Sequence, residues 1–107
     1  MFKESAFNQD ISIWDVHNAE NFSGMFESTS FNHNINSWKL QSAKTLDNMF
    51  ANNKEFNQPL NNWDVSRVAN MAYMFAFAYN FNQPIGDWDV SNVVRFDKMF
   101  FSATQFK

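Results

Sequence analysis

The same phrase is written four times in this chain. Residues 56–80 read FNQPLNNWDVSRVANMAYMFAFAYN, and residues 81–105 repeat them as FNQPIGDWDVSNVVRFDKMFFSATQ. Residues 31–55 form a third copy and residues 7–30 a fourth, one residue shorter. A unit this short cannot bury its own apolar side, so copies that share one packing problem solve it by stacking. Residues 1–6 match the end of a copy and 106–107 the start of another. The 107 residues are therefore expected to be a single repeat domain, a segment of a longer array with no capping copy at either end.

Aligned copies stand in columns. Phe opens each (Phe7, Phe31, Phe56, Phe81) and Asn follows it (Asn8, Asn32, Asn57, Asn82). An aliphatic comes next (Ile11, Ile35, Leu60, Ile85), then Trp (Trp14, Trp38, Trp63, Trp88), then a Met-Phe pair (Met25-Phe26, Met49-Phe50, Met74-Phe75, Met99-Phe100). These columns are the expected core. Fourteen Phe in so polar a chain suit a narrow aromatic interior wrapped in Asn-, Ser- and Asp-rich turns. The repeated Asn either bonds the backbone of a neighbouring coil from inside or is a solvated strand residue.

The second half of each copy has helical spacing: Val68, Met71, Met74, Phe75 and Ala78 fall on one face of a 3.6-residue period. Asn18, Ser42, Ser66 and Ser91 precede these runs, where N-caps belong. The first half, Phe-Asn-Gln-x-Ile, is too short for a helix and carries Pro59 or Pro84 at its far end, which fits a very short strand. The expected fold is a right-handed α/β solenoid, leucine-rich-repeat-like, with short parallel strands on one side and short helices on the other. Its coils would sit about 4.8 Å apart.

The chemistry-bearing residues are few. Without cysteine there is no disulfide or thiolate site, and a net charge of −3 offers no basic stripe for nucleic acid. No apolar run approaches the roughly 20 residues of a membrane span, and Met1-Phe2-Lys3-Glu4 leads straight into polar sequence. His17 and His33 stand where other copies carry Ser or Gln, in no recurring constellation with a nucleophile. The Asp15, Asp64, Asp89 column suits turn capping better than calcium, because Lys39 interrupts it and one carboxylate per coil is thin coordination. The Met columns are core filler rather than a soft-metal site. Gly24 and Gly86 make no phosphate-cradling loop. A crystal-binding face would need a column of Thr, which is missing. No catalytic residue, cofactor or metal site is expected.

The block FNQPLNNWDVSRVANMAYMF, echoed by FNQPIGDWDVSNV, resembles the 25-residue surface-protein repeat of bacterial lipoproteins, a mycoplasma-type repeat of unknown function allied to the leucine-rich repeats of BspA-like adhesins. The likeness covers nearly the whole chain, with Phe96 for the first Met of the fourth copy, His17 for Ser in the first, and Trp38-Lys39-Leu40 for Trp-Asp-Val in the second. It implies a solenoid used for adhesion or protein contact, often at a cell surface, although related repeats in large viruses leave a virion open. The function expected is a non-catalytic protein-interaction module of a larger surface protein. The alternative is a structural assembly subunit that packs through open solenoid ends, against other proteins or copies of itself.

Three aromatics break the pattern. On a helix whose core face carries Met71, Met74 and Phe75, Tyr73 and Phe77 would point outward, where other copies have Gly24, Asn48 and Lys98, or Ser28, Asn52 and Ser102. Phe101 replaces Glu27, Ala51 and Ala76. Tyr73, Phe77 and Phe101 are therefore the candidate partner contacts, unless Phe77 and Phe101 tuck between neighbouring helices and extend the core.

Overall fold

Each copy folds as the same five β-turns. In the computed structural model, which describes residues 7–106, the third copy closes i→i+3 hydrogen bonds at Leu60–Trp63, Val65–Val68, Met71–Met74, Tyr73–Ala76 and Phe75–Ala78. Equivalent turns recur in the other three copies. In the first two turns of the third copy the ends are apolar and buried and the middles polar, Asn61-Asn62 and Ser66-Arg67, whereas the Tyr73–Ala76 turn buries its middle, Met74-Phe75.

The expected α/β solenoid of the leucine-rich-repeat kind is overturned here. Among the described residues there is no α-helix, and strand pairing is limited to isolated parallel bridges at Asn21–Thr45, Thr45–Asn70 and Asn70–Arg95. The reason lies in two left-handed residues per copy. Gly24, Asn48, Tyr73 and Lys98 have φ of 62°, 58°, 60° and 54°, and Ser28, Asn52, Phe77 and Ser102 have 59°, 58°, 60° and 56°. Each sits third in its turn, where a type II turn requires positive φ and an α-helix forbids it. A ribbon that places a left-handed residue every four positions imitates helical spacing over so short a span. The N-cap roles expected of Asn18, Ser42, Ser66 and Ser91 disappear with the helices.

Alternate amides of this ribbon leave their own copy. The N–H groups of Leu46, Asn48, Phe50 and Asn52 donate to the carbonyls of Asn70, Ala72, Met74 and Ala76 at 2.8–3.0 Å. Those of Met71, Tyr73, Phe75 and Phe77 donate to Arg95, Asp97, Met99 and Phe101 at 2.6–3.1 Å, and Phe22, Gly24, Phe26 and Ser28 do the same toward the second copy. The intervening amides close the turns. Parallel pairing thus runs through the half in which helix is expected, and the Phe-Asn-Gln half contains no strand.

That other half is tied by side chains. Asn8, Asn32 and Asn57 each accept, through Oδ1, the backbone N–H of the next Asn in the column at 2.9–3.0 Å. The repeated Asn does bond a neighbouring copy, from the surface rather than from inside. Gln58 and Gln83 donate to the Asn carbonyl of the preceding copy at 3.2 Å, and His33 Nε2 reaches Asn8 O at the same distance. Trp38, Trp63 and Trp88 donate their indole N–H to the carbonyls of Ile11, Ile35 and Leu60 at 2.9–3.2 Å.

The core is a double ladder of phenylalanine. Phe31, Phe56, Phe81 and Phe106 continue one file from Phe7, with ring centroids 5.9–6.2 Å apart. A second file of Phe26, Phe50, Phe75 and Phe100 stacks at 5.4–5.6 Å. Where one copy gives way to the next the files touch face to face, at 4.0 Å for Phe26–Phe31 and 4.1 Å for Phe50–Phe56. The expected columns are buried in the central copies, but Trp14 is 43 % exposed, and Phe7, Ile85, Met99 and Phe100 are half-buried. Of the end faces 2–7 and 100–106, where open ends would expose apolar surface, residues 2–6 lie outside the described residues, Phe7, Phe100 and Phe106 are half-buried, and Phe101 is 47 % exposed. The chain spans 29 × 29 × 21 Å with a radius of gyration of 12.4 Å, close to the roughly 13 Å of a compact globule this long.

Candidate interaction surface

Turn geometry decides where the three pattern-breaking aromatics go. Phe77 is the left-handed residue of its turn, and its N–H donates to Phe101 O at 2.8 Å, which sets those two residues side by side. Their rings meet edge to face at 5.5 Å and 83°. Tyr79 joins them, its ring 6.4 Å from Phe77 at 87°. Phe101 is 47 % exposed and Tyr79 37 %, while Phe77 is half-buried between them. Tyr73 makes no ring contact with the other three among the described residues. The outward directions expected from a helix do not apply.

Two lysines complete the patch. Lys54 Nζ lies 5.6 Å from the Tyr79 ring centre and Lys98 Nζ 5.4 Å from that of Phe101, both within cation–π reach. Lys54 and Tyr79 hold the same place in successive copies, so their contact follows from stacking. Lys54 also lines a shallow polar cleft of about 390 Å³ with Ser28, Thr29, Ser30, Asn52 and Glu55. Sequence reasoning misses Tyr79 and Lys54; the signal is their shared column, four residues beyond each Met-Phe pair, where Ser30 and Thr104 stand in the other copies.

Elsewhere the polar side chains hold turns. Asp64 Oδ1 accepts the N–H of Ser66 at 3.0 Å and its hydroxyl at 2.6 Å, and Asp89 treats Ser91 in the same way. In the first copy His17 takes the place of Ser, with Nδ1 2.5 Å from Asp15 Oδ1. These side-chain and backbone hydrogen bonds hold all three carboxyls below the usual aspartate range. Burial opposes ionisation of Asp47 most strongly of any single cause, but hydrogen bonds from the Ser23 and Thr45 hydroxyls, its own backbone N–H and the Asn48 side chain together lower its pKa. Among the described residues no three His, Asp or Glu side chains converge as metal ligands would, and no helix is long and apolar enough to cross a membrane.

A protein-family description, "Mycoplasma protein of unknown function, DUF285", matches residues 1–54 and again residues 27–107. No curated protein and no solved structure matches the chain.

Proposed function

The chain belongs to the Mycoplasma protein family of unknown function DUF285, and from that premise we propose that it is a non-catalytic protein-interaction module. The observation that supports this is the Phe77–Phe101–Tyr79 cluster with its flanking lysines. Exposed aromatics at positions held by small or polar residues in other copies, rimmed by cations, suit a partner that offers apolar side chains among carboxylates. The resemblance of the block at residues 56–75 to a lipoprotein repeat, if that repeat is allied to BspA-like adhesins, favours a role in adhesion as part of a larger surface protein.

Photo-crosslinking in cells that make the protein tests the reading. A photoreactive residue at position 101 is expected to capture a protein partner, and one at position 67, on another exposed turn, is not. Equal capture at both positions, or none at 101, would overturn it.

A second reading, structural assembly through the ends of the stack, has its own support. The last copy exposes residues whose counterparts are core: Phe96 is 58 % exposed, whereas Leu46 and Met71 are at most 1 % exposed.

A further inference from the structure

Five side chains form one unbroken row across the turn ribbons of the second, third and fourth copies. Lys54 Nζ lies 5.6 Å from the Tyr79 ring centre, Tyr79 6.4 Å from Phe77, Phe77 5.5 Å from Phe101, and Phe101 5.4 Å from Lys98 Nζ. The row reads cation, three rings, cation. Its middle, Phe77 and Tyr79, belongs to the third copy, which is stacked between the second and the fourth. What those two rings leave exposed is therefore set by neighbouring copies on both sides, not by where the chain starts or stops.

Phe77 is strained in this place. It holds φ at 60° in a column that is otherwise Ser28, Asn52 and Ser102, and a side chain in that region costs roughly 1–2 kcal/mol. The ring is nevertheless only half-buried. Strain of this kind gathers at ligand clamps. The two lysines are uncommitted. Lys44 and Arg95 pair with Glu20 and Asp97 at 3.5 and 3.3 Å, whereas neither Lys54 nor Lys98 has a carboxylate within ion-pair distance among the described residues. Each ammonium rests instead on a ring face, which leaves N–H donors for a second, anionic partner. A lysine held in this way loses less side-chain freedom on meeting an anion than one that swings free.

We propose that the row binds an acidic peptide segment of a partner protein, with two carboxylates on Lys54 and Lys98 and an apolar side chain between them on Phe77 and Tyr79. The proposal rests on the reading of this patch as a protein contact and adds the class of segment it takes. Reach sets the spacing. The lysines belong to copies two rungs apart, about 10 Å along the stack, and an extended segment advances about 3.3 Å per residue. The two acids therefore stand roughly three to five residues apart, with the apolar residue between them.

Fluorescence anisotropy with short synthetic peptides tests it. The probe has the order Glu, Ser, Phe, Ser, Glu, with both ends blocked so that only side chains carry charge. It is expected to bind at least tenfold more tightly than the same peptide with Gln for Glu, and a version with Lys for Glu should not bind. Replacing its Phe with Ser should also weaken it at least tenfold. Lys54→Ser/Lys98→Asn, which copies Ser30 and Asn48 of other copies, should lose at least tenfold in affinity at an unchanged melting temperature. Arg67→Gln, which removes an exposed cation elsewhere, should bind as the unmodified protein does. Equal binding of the Glu and Gln peptides would overturn the acidic class, as would no binding of the Glu peptide at millimolar concentration. Binding that survives loss of the peptide's Phe would reduce the row to a plain anion site, and binding that survives loss of both lysines would move it elsewhere; either result sinks the proposal. Crosslinking from position 101 separates these failures from that of the patch itself. Capture that persists keeps the patch as a contact for a segment of other chemistry, and capture that fails removes both.

Discussion

Phe50 and Phe56 lie face to face at 4.1 Å, with planes 19° apart, although one closes the second copy and the other opens the third. The six-residue step between them is bridged by Asn53, which is fully buried. Its Oδ1 accepts the N–H groups of Glu55 and Phe56 at 3.1 and 3.0 Å, and its Nδ2 donates to Phe31 O at 3.0 Å. One polar side chain thus fixes the join between two stacked rings. Asn53→Leu leaves those groups unpaired and should lower stability by about 2–4 kcal/mol. Chemical denaturation measures it; a loss below about 0.5 kcal/mol contradicts the role.

Removing a rung of the ladder should cost more. Phe56→Ala and Trp63→Ala are each expected to lose about 3–5 kcal/mol, and so small a stack has little more than that to lose. Trp63→Phe separates packing from the indole bond to Ile35 O, 2.9 Å long, and should lose about 1–3 kcal/mol. Thermal melts of the three variants give the order directly.

The left-handed positions make an opposite prediction. Tyr73 adopts φ 60° without the local hydrogen bonding that makes Asn tolerant of that region. Tyr73→Asn, copying Asn48 of the preceding copy, should raise stability by about 0.5–1 kcal/mol. Gly24→Ala should lower it, since φ is 62° there and the new Cβ would meet Glu27 Oε1 at 3.0 Å. A destabilised Tyr73→Asn would mean that the ring contributes more packing than the strained backbone costs.

These positions also show how much of the molecule the sequence discloses. The Phe, Trp and Met columns are legible because burial demands the same residue in every central copy. Family membership is legible from the intact block at residues 56–75. Secondary structure is not, because a turn ribbon of period four and a helix of period 3.6 differ little over two turns. Gly24, Asn48 and Asn52 carried the deciding signal, being residues that favour positive φ, yet they look equally like a polar outer face. The patch was half legible: Phe77 and Phe101 are brought together, Tyr73 is not, and Tyr79 with Lys54 enters only through stacking.

Acid should weaken the turns held by Asp. The carboxyls of Asp64 and Asp89 are lowered by the side-chain and backbone hydrogen bonds of Ser66 and Ser91. Their contribution is complete above the unfolded value of about 4 and is lost as pH falls through the lower folded values. A Ser66→Ala/Ser91→Ala variant should therefore melt below the unmodified protein at pH 6, and the gap should close toward about pH 2. A gap that stays constant across that range contradicts the linkage.

Amide hydrogen exchange, read residue by residue by NMR, tests most directly that the chain is a stack of turn ribbons joined by alternate amides. In the 107-residue chain the N–H groups of Asn48, Phe50, Tyr73 and Phe75 should be protected. Their counterparts at positions 98 and 100 should exchange at least tenfold faster, and couplings at Asn48, Tyr73 and Phe77 should report positive φ. Continuous protection across residues 68–78, with the i,i+3 contacts of a helix, would contradict the account.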